Sequence, residues 1–566
     1  MKNILVILTL SSLLLSCNEA EQSSKPQPVK QQEVVKPVAT EKNNPIDRIS
    51  VESFTQHIIT LSSDEFGGRG PASKGEELTI NYLENEFKKA GATPAHGNSF
   101  TQKVPLASVE AINQPNLIIT SGAKDVGPIH LSYANDQVIW SRRQIDSVAV
   151  EASEMVFVGY GINAPERNWN DYADVDVKGK TVVMLVNDPG YATQEEQLFN
   201  GNAMTYYGRW DYKFDEAGRQ GAAAALIIHD TKPAAYGWST VENSWTGPQF
   251  DMVRENKEAD LVAVEGWITK ENAEKLFSKA GLDLKQMYEQ AKTPGFQAIE
   301  MKLMASAAIN NEFKYIDTHN VMAEVKGNEQ PDEVFIYMAH WDHLGIDPNK
   351  EGDGIYNGAL DNATGTAGLI ELAKAYAQAK PKRTVLFLAV AAEEQGLLGS
   401  AYYAANPVYS LKKTIAGINM DGLNNFGRTK DVTVIGMGMS EIDSFLKRHA
   451  AAQDRILKPD SESEKGYFYR SDHFELSKLG VPMSYPNAGY DHREKGIEYG
   501  IQKSEEYLNN HYHRVSDEYD PSWDLNGAIE DLQLYFLTGQ DIINSGAWPK
   551  WHNGTEFKKA RDEMMK

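Results

Sequence analysis

Apolar positions along the chain follow three successive patterns. Val51, Phe54, Ile58 and Leu61 fall at helical spacing behind Ser50, a residue suited to N-capping, so the stretch from Ser50 to Leu61 is expected to be a helix. A second helix is expected from about Gly75 to Ala90. Ile80, Leu83 and Phe87 share one face, Lys88 and Lys89 occupy the last turn, and Gly91 supplies the stop. From Val104 to Gln297 the pattern shifts to short β-like runs such as Met155 to Val158 and Thr181 to Val186, punctuated by Gly, Pro, Asn and Asp. After Asn320 strand and helix alternate. Phe335 to Ala339, Val385 to Ala391 and Ile415 to Met420 read as buried strands, Ala363 to Ala377 as a helix between the first two, and Ala528 to Asn544 as a closing helix. That alternation predicts an α/β fold with a mostly parallel mixed sheet, helices on both faces, and ligands bound outside the carboxyl ends of the strands.

Length and composition refine this picture. A chain of 566 residues exceeds one ordinary core, so a second domain or a large insertion is expected. Hydrophobic residues at 41% and charged residues at 24% are those of a globular protein, and a formal net charge of -23 argues against nucleic acid as a partner. Lys2, the apolar run Ile4 to Leu15, Ser16 and the only cysteine, Cys17, read as a secretory signal too short to span a bilayer. Leu14-Leu15-Ser16-Cys17 resembles a bacterial lipobox, which implies cleavage before Cys17, lipid attachment there, and a membrane-anchored protein of the cell envelope. Asn18 to Asn44, rich in Gln, Lys, Pro, Ser and Glu, reads as a tether.

Metal-capable side chains sit where the apolar strands end. His340 and Asp342 follow Phe335 to Ala339, Glu393 and Glu394 follow Val385 to Ala392, and Asp421 follows Ile415 to Met420. In a parallel sheet those ends open onto one crevice, where several carboxylates cannot all stay ionised without a cation. Each residue alone also has a bland reading. Asp361 could cap the following helix, Glu393 and Glu394 could form a solvated loop, and His513 could be a surface histidine. Their joint order along the chain favours one metal site. Imidazole and carboxylate ligands suit zinc and also admit manganese or cobalt.

Ala339-His-Trp-Asp-His-Leu-Gly345, Gly358-Ala-Leu-Asp-Asn-Ala-Thr-Gly365, Glu393-Glu-Gln-Gly-Leu-Leu-Gly-Ser400, Asn419-Met-Asp421 and Tyr512-His513, with Arg69-Gly and Ser471-Asp-His473, resemble the M28 family of zinc aminopeptidases and carboxypeptidases. The resemblance implies two Zn(2+) ions, one on His340 and Asp421 and the other on Glu394 and His513, with Asp361 bridging them. It implies Glu393 as general base and Asp342 as the carboxylate that orients the His340 imidazole. Tyr512 is a candidate oxyanion donor, and His473 is expected close to the substrate without ligating metal. His343 and His511 also lie near the implied ligands. Tyr467, Phe468, Tyr469, Met483 and Tyr485 could line a side-chain pocket or belong to the core.

Val156 to Ile162, Asp174 to Met184 and Gly221 to Ile228 resemble a β-rich protease-associated domain, which implies substrate gating or docking. The expected layout is a lipoprotein signal peptide at 1–16, a tether at 17–45, a first catalytic segment at 46–105, the insertion at 106–300, a second catalytic segment at 301–550 and a C-terminal tail at 551–566. The expected function is an exopeptidase, foremost an aminopeptidase, acting on peptide substrates. The alternatives are a carboxypeptidase of the same family, for which Arg470 or Arg493 could anchor the substrate carboxylate, and a peptidase-like binding protein without activity.

Overall fold

A computed structural model describes residues 44–121, 127–256 and 260–566; Cys17, the signal segment and nearly all of the tether lie outside the described residues. Helix α1 spans Val51–Leu61, begun by the Ser50 hydroxyl accepting from the Ser53 amide, and α2 spans Lys74–Ala90, ended by left-handed Gly91. The catalytic-side sheet comprises β1 (Thr101–Ala111), β2 (Ile299–Val325), β3 (Gln330–His340), β4 (Arg383–Val390), β5 (Thr414–Asn419), β6 (Asp431–Ile435), β7 (Ile456–Pro459) and β8 (Met483–Ala488). Across the sheet the order is β1-β2-β4-β3-β5-β8-β6-β7. The four central strands β4, β3, β5 and β8 are parallel, β1 and β2 pair antiparallel with their neighbours, and β6 runs antiparallel to β8 and parallel to β7.

Burial on both faces follows from the two-residue period of a strand. Phe335, Tyr337 and Ala339 of β3, with Val385, Phe387 and Ala389 of β4, pack on one side against α1, α2, α3 (Thr364–Ala379) and, further along the chain, α5 (Asn526–Ser545). The alternate residues Val334, Ile336, Met338, Leu386, Leu388 and Val390 form a second core on the other face with Tyr403, Leu411, Leu476 and Val481. A mostly parallel mixed sheet covered on both faces is therefore the observed architecture, as the alternation predicts. The last helix before α5 is α4 (Ile497–Asn510), whose only buried residue is Gly500. No helix among the described residues is long and apolar enough to cross a membrane.

The inserted region has its own sheet and two further cores. Four of its strands, Ser147–Phe157, Thr181–Leu185, Ala224–His229 and Val264–Thr269, run parallel, and helices Trp210–Arg219 and Lys270–Lys279 pack beside them. The lobe is thus α/β and not simply β-rich. The expected boundaries at 105/106 and 300/301 both fall inside strands, β1 and β2. The 27-residue β2 carries its first half in the lobe sheet and its second half in the catalytic-side sheet, so no linker separates the two.

Residues 551–566 also depart from expectation, because they are built into the fold. Trp551 is buried and donates its indole N–H to the Gly480 carbonyl at 2.9 Å. Phe557 is buried against Trp551 and Phe468, and Arg561 within helix Lys558–Met564 donates to the carbonyls of Leu411 and Thr414 at 3.0 and 2.8 Å. Removing residues 555–566 should therefore cost about 3–5 kcal/mol, the range for deleting a buried aromatic. Chemical denaturation reads the loss; an unchanged midpoint would show that the segment is dispensable.

Candidate metal centre

The parallel strands deliver their chemistry at one end. His340 closes β3, Glu393 and Glu394 follow β4, and Asp421 follows β5, so three neighbouring strands converge on one crevice. Asp361 enters from the irregular turn Ala359–Ala363 that precedes α3, and His513 from the chain after α4. Gly358 opens that turn at φ +54°, and a Cβ there would collide with the Asp361 carbonyl oxygen at 2.2 Å and the His343 ring at 2.5 Å. Only glycine fits the position.

Five side chains meet. Nε2 of His340 lies 3.2 Å from Oδ1 of Asp361 and 3.3 Å from Oδ1 of Asp421. Nε2 of His513 lies 3.2 Å from Oδ2 of Asp361 and 3.1 Å from Oε2 of Glu394. Asp361 is thus shared between two triplets. Donor atoms at bond lengths of about 2.0–2.2 Å around one tetrahedral cation are separated by about 3.3–3.6 Å, and the measured separations are close to that. His340, Asp361 and Asp421 form one group able to hold a metal ion, and the donor set of two imidazoles and three carboxylates fits zinc.

Electrostatics point the same way. Burial disfavours the charged form of His340, yet Glu393 and Asp421 hold its pKa well above the usual histidine value. His513 behaves alike: against burial, Glu394 and Asp361 raise it to about 10. Burial would push Glu394 up, but His513 and His343 hold it at about 2, and Asp361 is held well below the usual range by His340 and His513. Glu393 is the exception. Burial, with the charges of Glu394 and Asp421, pushes it well above the carboxylate range despite the pull of His340. Protons on the imidazoles therefore stand where a cation would relieve the same repulsion.

Supporting contacts tie the turns to one another. Asn362 donates to the Met420 carbonyl at 3.0 Å and accepts from the Gly422 amide at 3.2 Å, joining the turn of Asp361 to that of Asp421. Asp517 accepts from the amides of Leu360 and Asp361 at 2.9 and 3.1 Å and from the Tyr507 hydroxyl at 3.0 Å. The wholly buried Arg69 donates to four carbonyls, those of Leu61, Trp341, Asn357 and Gly358, at 2.6–2.8 Å. Ser471 donates to Oδ2 of Asp421 at 2.7 Å and accepts from Asn419 at 2.7 Å. None of these four, Asn362, Asp517, Arg69 or Ser471, was assigned a role from the sequence. Arg69, Asn362 and Ser471 stand in motifs that carry the resemblance, whereas Asp517 has no spacing signal of its own.

Three expected roles look different in three dimensions. Nδ1 of His340 is 3.1 Å from the main-chain oxygen of Asp342 and 3.9 Å from its carboxylate; that carboxylate instead accepts from the amides of Glu393 and Glu394 at 3.2 and 3.4 Å. Asp342 therefore orients the glutamate turn directly and the imidazole through its backbone. His473 is fully buried, with its ring against Phe468 and Tyr485, and burial lowers its pKa to about 3; it packs behind the site and does not line it. His343 lies closer than sequence spacing suggests. Its Nδ1 is 2.7 Å from Oε1 of Glu394, and His343, Asp361 and Glu394 form another group able to hold a metal ion. His511 bonds instead to Ser516.

The carboxylates floor a cavity of about 440 Å³. Tyr512 lines it, its ring stacked on His513 at 3.9 Å between centroids. Tyr467 and Tyr485 line it as well, whereas Phe468, Tyr469 and Met483 belong to the core.

Residues 320–537 match the sequence profile of peptidase family M28. A probable zinc metalloprotease of Pyrenophora teres f. teres (strain 0-1) is 38% identical over 111 residues, 19% of this chain and 23% of that protein. A probable zinc metalloprotease of Pyricularia oryzae is 40% identical over 107 residues, 19% and 20% of the two chains. The chain thus spans about a quarter or less of the length of the curated relatives it matches. Among solved structures, an aminopeptidase from Aneurinibacillus sp. strain AM-1 aligns over 88% of this chain and 95% of its own, with a TM-score of 0.48 and 18% identity.

Ser471 gives a test of the centre that needs no substrate. Replacing it with alanine leaves Asp421 without its 2.7 Å donor. Divalent metal affinity should fall about 10–100-fold, as for other groups that orient ligands. Competition with a chromophoric chelator measures it, and undiminished affinity would contradict the arrangement.

Proposed function

We propose, from the premise that residues 320–537 belong to peptidase family M28, that the chain is a two-metal exopeptidase that cleaves amino acids from the amino ends of peptides. The observation that carries this is Asp361 standing within 3.2 Å of both His340 and His513, each of which reaches a second carboxylate. His340, Asp361 and Asp421 would hold one ion, and His513, Asp361 and Glu394 the other, with zinc the favoured metal. Such a pair supplies Lewis acidity toward a substrate carbonyl and toward water.

The chain's own groups do the rest. Glu393 lines the cavity beside this set and is not needed as a ligand in either triplet. With the neighbouring charges compensated it ionises, accepts a proton from the attacking water and returns it to the leaving nitrogen. Asp342, accepting from the Glu393 amide, fixes where that carboxylate stands. Tyr512, at the cavity wall, is placed to donate to a developing oxyanion. The acidic floor attracts the free α-ammonium of a peptide and repels its carboxylate, which favours attack at the amino end. His343, with Nδ1 2.7 Å from Oε1 of Glu394, serves to orient that ligand. The apolar segment ending in Cys17 supports a lipid-anchored location in the cell envelope.

Glu393→Gln should lower kcat by about 100-fold to 10,000-fold, the usual contribution of a general base, while both metal ions stay bound. Retained turnover would remove Glu393 from that role. Free peptides should be cleaved and N-acetylated ones spared; efficient cleavage of the acetylated set would make the enzyme a carboxypeptidase. His513→Ala should reduce the metal content from two ions to one, whereas His343→Ala should keep both with weaker retention. Elemental analysis after dialysis decides between them, and the opposite pattern would give His343 the ligand role.

A further inference from the structure

The cations around the cavity are not equivalent. Lys465, Arg470 and Lys503 all line it. Lys465 is paired with Glu462 at 2.5 Å, and Lys503 with Glu506 at 2.7 Å. Arg470 has no carboxylate partner among the described residues; its guanidinium carbon lies 5.3 Å over the ring of Tyr467, which also lines the cavity. Arg493, the other arginine considered for such a role, is committed elsewhere: its Nη2 donates to Glu530 at 2.9 Å and to the Gln453 carbonyl at 2.6 Å.

Position sharpens the contrast. Arg470 immediately precedes Ser471, whose hydroxyl holds Asp421, and Arg470 and Asp421 line the same cavity. A peptide with its scissile bond over the floor carries its next carboxylate about one residue further along, a distance of about 3.3–3.6 Å per residue. A guanidinium attracted to an aromatic face is restrained by it, and its planar fork matches a carboxylate with two parallel hydrogen bonds. Tyr467 gives Arg470 that restraint.

We infer that Arg470 anchors a substrate carboxylate on the leaving-group side of the scissile bond, making very short peptides the favoured substrates. This rests on the peptidase reading above and deepens it. The carboxylate has two chemical sources: the free C-terminus of a dipeptide, or an acidic side chain on the residue after the scissile bond. An internal peptide bond at that point offers Arg470 no negative charge.

The test uses the metal-loaded full-length protein and three substrate sets with varied first residue: X–Ala dipeptides, X–Ala amides and X–Glu amides. The wild type should cleave X–Ala with kcat/KM about 10–100-fold above X–Ala amide, the value of one charge-assisted hydrogen-bond pair. Arg470→Gln should erase that ratio by slowing the acid while leaving the amide rate unchanged, and Arg470→Lys should restore part of it. Recovery of rate with X–Glu amides would identify the side chain as a second source; no recovery would confine the anchor to the C-terminus. Equal rates for acid and amide in the wild type, or equal losses for both in Arg470→Gln, would overturn the anchor while leaving the peptidase intact. Cleavage of none of the three sets would instead refute the peptidase reading itself.

Discussion

Carboxylates and imidazoles packed at 3.1–3.3 Å in a crevice partly closed to water govern the rest of the structure. The carboxylates gathered there repel one another and cannot all stay ionised without a compensating positive charge. In the protein alone the compensation is made by protons, which His340 and His513 keep because of the carboxylates around them. A cation accepted by the same atoms would displace those protons, so binding metal and releasing protons would be one event. Glu393 stands on the opposite side of this balance. Its carboxyl is pushed up by burial and by its acidic neighbours, and so it answers to the same charge that fills the site.

Holding such a cluster takes more than the strands that carry it. The turn bearing Asp361 is fixed by Asp517 beneath its amides and by Asn362 reaching to the turn of Asp421. Arg69 pins the carbonyls of Trp341, Asn357 and Gly358, on either side of the segment that leads from His340 to Asp361. Burying a guanidinium carries a heavy desolvation penalty, offset here by four carbonyl acceptors and by the surrounding negative charge. Each turn is thereby braced by a different part of the chain, and small displacements of one ligand are resisted by the others. The bracing is the physical meaning of preorganisation at this site.

Much of this was legible from residue order. Buried runs before His340, Glu393 and Asp421 identify the parallel strands, and a parallel sheet brings their ends together wherever the connecting helices lie. Helices α1 and α2 were legible to within a residue, because Ser50 and Gly91 mark their ends chemically. Contacts between distant turns were not. Nothing periodic links Arg69 to Gly358 or Asp517 to Leu360, and a single arginine or aspartate in a loop has many bland explanations. The lobe boundaries failed for a related reason. No Gly or Pro interrupts the 27 residues of β2, so no turn signal marks where the strand leaves one sheet for the other. Residues 551–566 were expected as a tail, yet Trp551, Phe557 and Arg561 are buried.

The same separation of sources shapes the cavity. Its floor comes from strand ends of the central sheet, whereas part of its rim comes from the loop around residues 462–470, and that loop is held partly by the inserted lobe. The Met204 amide donates to the Ser463 carbonyl at 3.1 Å, and Tyr206 packs edge-on against Phe474 at 5.2 Å. Gly466 lies so close to Met204 that a Cβ there would meet its sulfur at 2.7 Å. The Tyr206 amide and the Tyr469 hydroxyl both donate to Glu556, which draws the C-terminal segment into the same contact. Lobe, loop and C-terminal segment are therefore packed as one unit beside the cavity, while the metal-capable residues answer to the sheet. Changes in the lobe bear first on this rim and, through Ser471, on Asp421, whereas His340 and Asp361 are placed by β3 and by the turn that Asp517 braces.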